Sequence, residues 1–139
     1  MPIKSFRGKI DDGTQDTIVL HTNDGSTGYR IVKFQIMPNN PGATIDGLVK
    51  IYKVPGKSAN STIDFSDNTL LAVAFYYNGT YEIDNRVVFD NEIFNQDIYV
   101  VHHEQLGSEA MNYYIELEQI RLDLNQNTVA TLKDIRNLS

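Results

Sequence analysis

Short apolar runs alternate with polar turns along most of this chain. Runs of Val, Ile, Leu, Tyr and Phe, separated by groups of Asn, Asp and Gly, extend over residues 3–124. Within several runs the apolar positions recur at every second residue, which is typical of a strand with one buried face. The pattern therefore predicts an all-β fold, and we expect an antiparallel β-sandwich, jelly-roll-like, of about eight strands.

A hairpin is predicted near the N-terminus. Residues 17–22 and 29–37 are apolar runs, and residues 23–28 between them are rich in Asn, Asp and Gly, which readily adopt the backbone angles of tight turns. The period-2 pattern of the second run predicts one buried face that contains Val32, Phe34 and Ile36.

The run at residues 70–77 is apolar at nearly every position. Such a run is typical of a strand in the middle of a sheet that is covered on both faces, so we place Val73 and Phe75 in the core. The dipeptide at residues 78–79 is Asn-Gly, the strongest short hairpin signal, and it predicts that residues 80–83 return as the next strand.

The apolar residues recur at different spacings in the last predicted strand and in the tail. In residues 112–124 the apolar phase shifts, which predicts a bulge near residues 118–119. Thr128 can cap a short helix over residues 128–138. The apolar stripe of that helix, which is too short to be stable without docking, consists of Val129, Leu132 and Ile135.

Length and composition limit the class of protein. The 139 residues fit one domain, which we place over residues 1–139. There is no Cys, which excludes thiol catalysis, disulfides and Cys-ligated zinc. We also expect no signal peptide and no membrane-spanning segment, and hence a protein that is made and used in a reducing cytoplasm or assembled there into something larger.

Charge is unevenly distributed along the chain. Residues 1–60 carry eight Lys/Arg and five Asp/Glu, whereas residues 61–139 carry four and thirteen. If the two halves separate in space, copies could meet head to tail; if they interleave, the charges only solvate the surface. The scattered cations argue against nucleic-acid binding. The basic segment 1–10 is a predicted partner contact through Lys4, Arg7 and Lys9.

The histidines are the first candidates for metal ligands. Adjacent side chains on a strand point to opposite faces, so His102 and His103 cannot bind one ion from the same face. His21 could join His103 and Glu104 only through an unproven strand pairing. We therefore expect surface or interface histidines, and no metal or other cofactor.

No catalytic constellation is found in the sequence. The acidic loops at residues 64–68, 84–85 and 90–92 lack the spacing of a calcium loop, and turn and cap roles explain them. Nucleophile elbow, phosphate loop and dinucleotide fingerprint are all missing. We therefore predict no catalytic residues and no enzymatic activity. The eight tyrosines leave carbohydrate binding as an alternative function.

Three stretches of the chain carry a resemblance to a known group of proteins. Residues 63–72, 89–99 and 112–137 resemble small, mostly uncharacterised virion structural proteins of marine tailed bacteriophages. The resemblance implies a virion component, made in the bacterial cytoplasm, rather than an enzyme.

The leading hypothesis is a capsid decoration (cement) protein. It would bind the outer shell, through the major capsid protein or another virion protein, as a small homo-oligomer such as a trimer. The basic segment and the C-terminal helix are its expected contacts. The alternatives are a neck or tail component and, from a different class, a carbohydrate-binding or host-attachment module.

Overall fold

Eight strands make up the described part of the chain. The computed structural model describes residues 2–23, 25–79 and 83–123, and none of these residues lies in a helix. Over the same ranges, no helix has the length and apolar character needed to cross a membrane. The strands are β1 Ile3–Ile10, β2 Gln15–Ile18, β3 Thr27–Pro38, β4 Asp46–Tyr52, β5 Leu70–Tyr77, β6 Asp84–Phe89, β7 Ile98–Glu104 and β8 Met111–Arg121.

The strands form two antiparallel sheets that pack face to face. One sheet has the order β1-β8-β3 and the other has the order β2-β7-β4-β5-β6. The predicted all-β fold, with eight strands in two antiparallel sheets, is confirmed at this level. The predicted helix at residues 128–138 lies outside the described residues, and Val129, Leu132 and Ile135 lie there with it.

The N-terminal and C-terminal halves of the chain interleave in both sheets. Strand β8 lies between β1 and β3, and β7 lies between β2 and β4. Basic and acidic strands are therefore neighbours, and Arg30 on β3 donates a hydrogen bond to Glu118 Oε2 on β8 at 2.7 Å. The two halves of the sequence do not form two separately charged halves of the molecule.

The main core lies between the two sheets. On β8, buried residues alternate with half-buried ones, as expected for a strand with one face against a core. Burial of each such aliphatic side chain contributes roughly 1.5–3 kcal/mol. The buried residues from the central strands are Val49 and Ile51 on β4, Ala72 and Ala74 on β5, Val100 on β7, and Met111, Tyr113, Ile115 and Leu117 on β8.

A second apolar cluster covers the outer face of the five-stranded sheet. Gly56, with φ +78°, turns the chain after β4 into the segment 56–69, whose Ala59 packs on this cluster. The prediction that β5 is covered on both faces is confirmed, since Val73 is 5% exposed on this side. Phe75 is only half-buried at the margin, so its placement in the core was wrong. The buried members are Leu48, Tyr52, Leu70, Val73 and Val101.

The predicted hairpin of residues 17–22 and 29–37 is wrong. Strand β2 pairs with β7 in one sheet and β3 pairs with β8 in the other, so the turn-rich segment connects the two sheets. The crossing begins where Asp97 Oδ1 accepts hydrogen bonds from the backbone N–H groups of Leu20 and His21. Turn-forming residues reverse the chain equally well within a sheet and between sheets.

Strand β5 pairs antiparallel with the next strand along the chain, but that strand is β6, which begins at Asp84, and not residues 80–83 as predicted. The ladder between β5 and β6 closes at Tyr77 and Asp84 rather than around Asn-Gly. Residues 80–82 of the predicted returning strand lie outside the described residues. Asn78 is used elsewhere: its Oδ1 accepts a bond from Ile45 N at 2.6 Å and its Nδ2 donates to Ala43 O at 2.7 Å.

The predicted bulge lies on a different strand. The register of β8 continues through residues 118–119, whereas the pairing of β3 with β8 shifts between Ile31 and Lys33. Because Val32 is the extra residue, Ile31 shares the buried face with Phe34 and Ile36, and Val32 is only half-buried. The predicted placement of Val32 in that set was wrong.

Candidate functional site

The predicted partner-binding cations all lie on β1. Strand β1 pairs with β8 over its whole length, placing Arg7 opposite Tyr114 and Lys9 opposite Asn112. From residue 3 onward, the segment 1–10 is therefore an edge strand of the sheet and not a separate basic arm that gains order only on binding a partner. Lys4, Arg7 and Lys9 make no ion pair with any other described residue.

A shallow groove runs over the outer face of the three-stranded sheet and past β3 to β6. It has a volume of about 1030 Å³. Lys33 Nζ lies 5.8 Å from the centre of the Tyr114 ring, and Tyr114 donates a 2.6 Å hydrogen bond to Glu116. That hydrogen bond raises the pKa of Tyr114. The side chains of interest along the groove are Arg7, Lys33, Gln35, Asn112 and Tyr114.

Exposed apolar side chains gather at the edge formed by β6. Phe65 is 71% exposed, Val88 55% and Phe89 39%, and these three residues are here called the β6 patch. They lie along a cavity of about 370 Å³ between β6 and the segment 56–69. Large exposed apolar residues that share one surface mark sites of contact with other molecules.

Carboxylates surround the β6 patch. Lys53, whose side chain is 3% exposed, donates to both carboxylate oxygens of Glu92 at 2.9 and 3.0 Å. Lys57 donates to Asp67 at 3.1 Å. Asp90 is exposed, accepts a bond from Glu92 N, and makes no ion pair within the described ranges. The cavity therefore has paired charges in its wall and one open carboxylate at its margin.

Lys50 is buried under the segment 56–69. It is 2% exposed, and its Nζ donates to Asn60 Oδ1 at 3.1 Å and to Thr62 O at 3.0 Å. Burial lowers the pKa of Lys50, and the charge of Asp67 opposes this effect. The ammonium group ties the covering segment to β4.

The three histidine side chains do not point to a common site. His102 is fully buried on the inner face of β7, with Nε2 2.9 Å from Glu109 O, so its prediction as a surface or interface histidine was wrong. His103 is half-buried on the opposite face, and His21 contacts Asp97 at 2.7 Å. Among the described residues, no group of three or more His, Asp or Glu has the geometry of a metal site.

Two carboxyl groups meet between β4 and β7. Glu104 is 2% exposed, and its Oε1 accepts bonds from the backbone N–H groups of Asp46 at 2.9 Å and Leu106 at 3.1 Å. Within the described ranges, Glu104 Oε2 and Asp46 Oδ1 are buried without a hydrogen-bond partner. Burial and the charge of Glu104 raise the pKa of Asp46. Sequence reasoning missed this pair, because the two residues meet only through the register of β4 and β7.

The acidic loop at residues 64–68 takes the structural role predicted for it, whereas residues 84–85 begin strand β6. Asp64 Oδ1 accepts bonds from the backbone and hydroxyl of Ser66, which lower the pKa of Asp64. Asp67 Oδ1 does the same for Thr69. Both are turns closed by a carboxylate.

No protein-family model matches the chain, and no curated protein matches it by sequence. Function therefore has to be inferred from the fold and its exposed surfaces.

Proposed function

We propose that the protein is a non-enzymatic structural component of a tailed-bacteriophage virion, and specifically a capsid decoration protein. In this role it binds the outer shell, through the major capsid protein or another virion protein, as a small homo-oligomer such as a trimer. It is made in the bacterial cytoplasm and carried on the particle. The observation that carries the proposal is the pairing of the strands.

The strand pairing supports a jelly-roll-like topology. In an eight-stranded jelly roll the first strand pairs with the last, and successive pairs follow inward. The pairs β1 with β8, β2 with β7 and β4 with β5 follow this rule. The remaining pair, β3 with β6, is in contact without a ladder, because β6 stays on β5. Jelly rolls build viral capsid domains and lectins.

The surfaces support binding to other proteins. The β6 patch exposes three large apolar side chains along one cavity, with Val88 and Phe89 on opposite faces of β6, and exposed apolar residues of this kind mark protein contacts. The candidate catalytic groups have other partners: Lys50 holds a covering segment, and His102 faces backbone carbonyl groups. The resemblance to marine phage virion proteins points in the same direction.

The copy number of this protein in purified virions tests the proposal. Quantitative mass spectrometry would measure its molar ratio to the major capsid protein. A decoration protein is expected at a ratio set by the symmetry of the shell. A ratio that corresponds to a single ring would indicate a neck or tail component instead. Absence from purified particles would contradict both virion roles.

Carbohydrate binding is the second candidate function, and the groove at Tyr114 favours it. Arg7, Gln35 and Asn112 supply hydrogen-bonding groups beside an aromatic ring, the combination with which proteins hold sugars. NMR titration with host surface oligosaccharides should shift signals of β1, β3 and β8, and Tyr114→Ala should abolish the shifts. Tyr99→Ala, in the other sheet, is the matched control. Unchanged binding by Tyr114→Ala would exclude this site.

A further inference from the structure

Four strands end the two sheets, β1 and β3 in one and β2 and β6 in the other, and of these β1 and β6 lie at opposite sides of the sandwich. Strand β1 ends the three-stranded sheet and β6 ends the five-stranded sheet. Because β3 packs against β5 and β6 across the core, β1 lies at the other lateral side. The N–H and C=O groups of an unpaired edge can form a ladder with a strand of another molecule.

The β1 edge is cationic and partly apolar. Lys4, Arg7 and Lys9 have no ionic partner in the described part of the chain. Ile3, at the start of the same strand, is 51% exposed. The edge therefore offers three uncompensated positive charges beside an apolar side chain.

The β6 edge is apolar, and its charged residues are two carboxylates and one arginine. Val88 and Phe89 of the β6 patch are on this strand, and Ile83, just before it, is 71% exposed. Asp90 follows the strand without an ion pair in the described ranges. Asp84 accepts a hydrogen bond from Arg86 at 2.9 Å, but both side chains are well exposed, so this pair contributes little.

We infer that the β1 edge of one copy pairs with the β6 edge of a second copy, head to tail. The two strands have eight and six residues, so a ladder along the whole of β6 is geometrically available. The uncompensated cations of β1 would then meet Asp84 and Asp90, which outnumber the one cation of β6, Arg86, and this difference in charge sets the choice of partner and orients the encounter. Contact between the apolar residues of the two edges removes them from water.

This pairing joins two different surfaces of the same chain. A heterologous contact of this kind produces a closed ring or an open filament, according to the rotation between copies. It also covers two sheet edges that would otherwise remain open to unspecific pairing. The inference goes beyond the virion role and holds whether or not the protein is found on a particle.

Charge reversal at each edge tests the pairing. One variant combines Arg7→Glu with Lys9→Glu, and the other combines Asp84→Lys with Asp90→Lys. Sedimentation velocity should show salt-sensitive oligomers for the unchanged protein, and association weaker by about tenfold or more for each variant alone. An equimolar mixture of the two variants should associate again, since each then meets the opposite charge on both edges.

Controls separate the proposed interface from other effects. Circular dichroism and melting temperature should show that both variants remain folded. Arg121→Glu reverses an exposed cation at the end of β8, a strand that is paired on both sides, and should leave association unchanged. The inference is overturned if the unchanged protein associates more weakly than about 1 mM. It is also overturned if the mixture fails to associate, or if Arg121→Glu alone dissociates the oligomer.

Discussion

Replacement of Asp46 by Asn is expected to stabilise the fold at neutral pH. The backbone N–H of Asp46 lies 2.9 Å from Glu104 Oε1, so its side chain begins beside a carboxylate that is 98% buried. At pH 7 an ionised Asp46 would add a second negative charge there. Asparagine removes that charge and supplies an N–H donor to a carboxylate whose Oε2 has no partner among the described residues.

The expected gain follows from the hydrogen bond that becomes available. A hydrogen bond to a charged group contributes about 1.5–3 kcal/mol when it is well formed. Residue 46 is partly exposed, which reduces the effect, so we expect a gain of about 1–2 kcal/mol in the free energy of unfolding. For a domain of this size, the melting temperature should rise by roughly 3–8 °C.

The gain should depend on pH with a definite sign. Burial and Glu104 raise the pKa of Asp46 above its ordinary value of 3.8. The stability contributed by protonated Asp46 is therefore fully present below pH 3.8 and is lost as the pH rises through the raised native pKa. Asp46→Asn should accordingly match the unchanged protein in acid and exceed it at neutral pH.

Urea unfolding at a series of pH values measures this difference. Tyrosine fluorescence and far-UV circular dichroism are suitable probes, because the chain has no Trp. Asp11→Asn, an exposed carboxylate near the same end of the sheet, is the control and should change stability by less than about 0.5 kcal/mol. A destabilised Asp46→Asn variant, or a gain that is equal at pH 3 and pH 7, would refute repulsion between the two carboxylates.

Four further substitutions test the packing. Phe94→Ala should lower the free energy of unfolding by about 3–5 kcal/mol, because Phe94 is 1% exposed. Phe75→Ala should lower it by less than half of that amount. Equal losses in urea unfolding would show that Phe75 belongs to the core. Tyr113→Phe should cost about 1 kcal/mol through its lost hydrogen bond to β2. Burial raises the pKa of Tyr113, so this residue should not contribute to the ionisation near pH 10, where exposed tyrosines ionise. The absorbance titration curves of Tyr113→Phe and of the unchanged protein should therefore coincide near pH 10. Lys50→Met should speed tryptic cleavage in the segment 56–69, and an unchanged rate would show that Lys50 does not hold that segment.

The strands were predictable because their signal is local. Alternation of apolar residues in β8, and the apolar run of β5, reflect burial on one or both faces and can be identified without knowledge of any partner. The partners themselves were not predictable. Residues 23–28 look like a hairpin turn, but β2 and β3 lie in different sheets. The turn-forming residues indicate that the chain reverses direction, but they do not indicate which sheet the next strand joins.

The candidate site was predictable only in part, for the same reason. Lys4, Arg7 and Lys9 stand out by charge alone, and they lie on an exposed edge strand. His102 is buried because every second side chain of β7 points into the core and His102 is one of them. If the strand were shifted by one residue, His103 would be buried instead. The pair of Asp46 and Glu104 depends on the register of two strands that are far apart in sequence.

The position of β6 connects the fold to the proposed function. If β6 paired with β3, as the inward pairing of a jelly roll requires, each sheet would have four strands and β6 would be the end strand of the sheet of β1, β8 and β3. Retention of β6 on β5 leaves sheets of three and five strands, and the wider sheet extends beyond the narrower one. The overhang exposes Val88 and Phe89 and forms one wall of the groove along β3. In a monomer, the apolar side chains and the backbone groups of this edge remain in water. A chain that is covered by its neighbours in an assembly would recover both contributions at the contact.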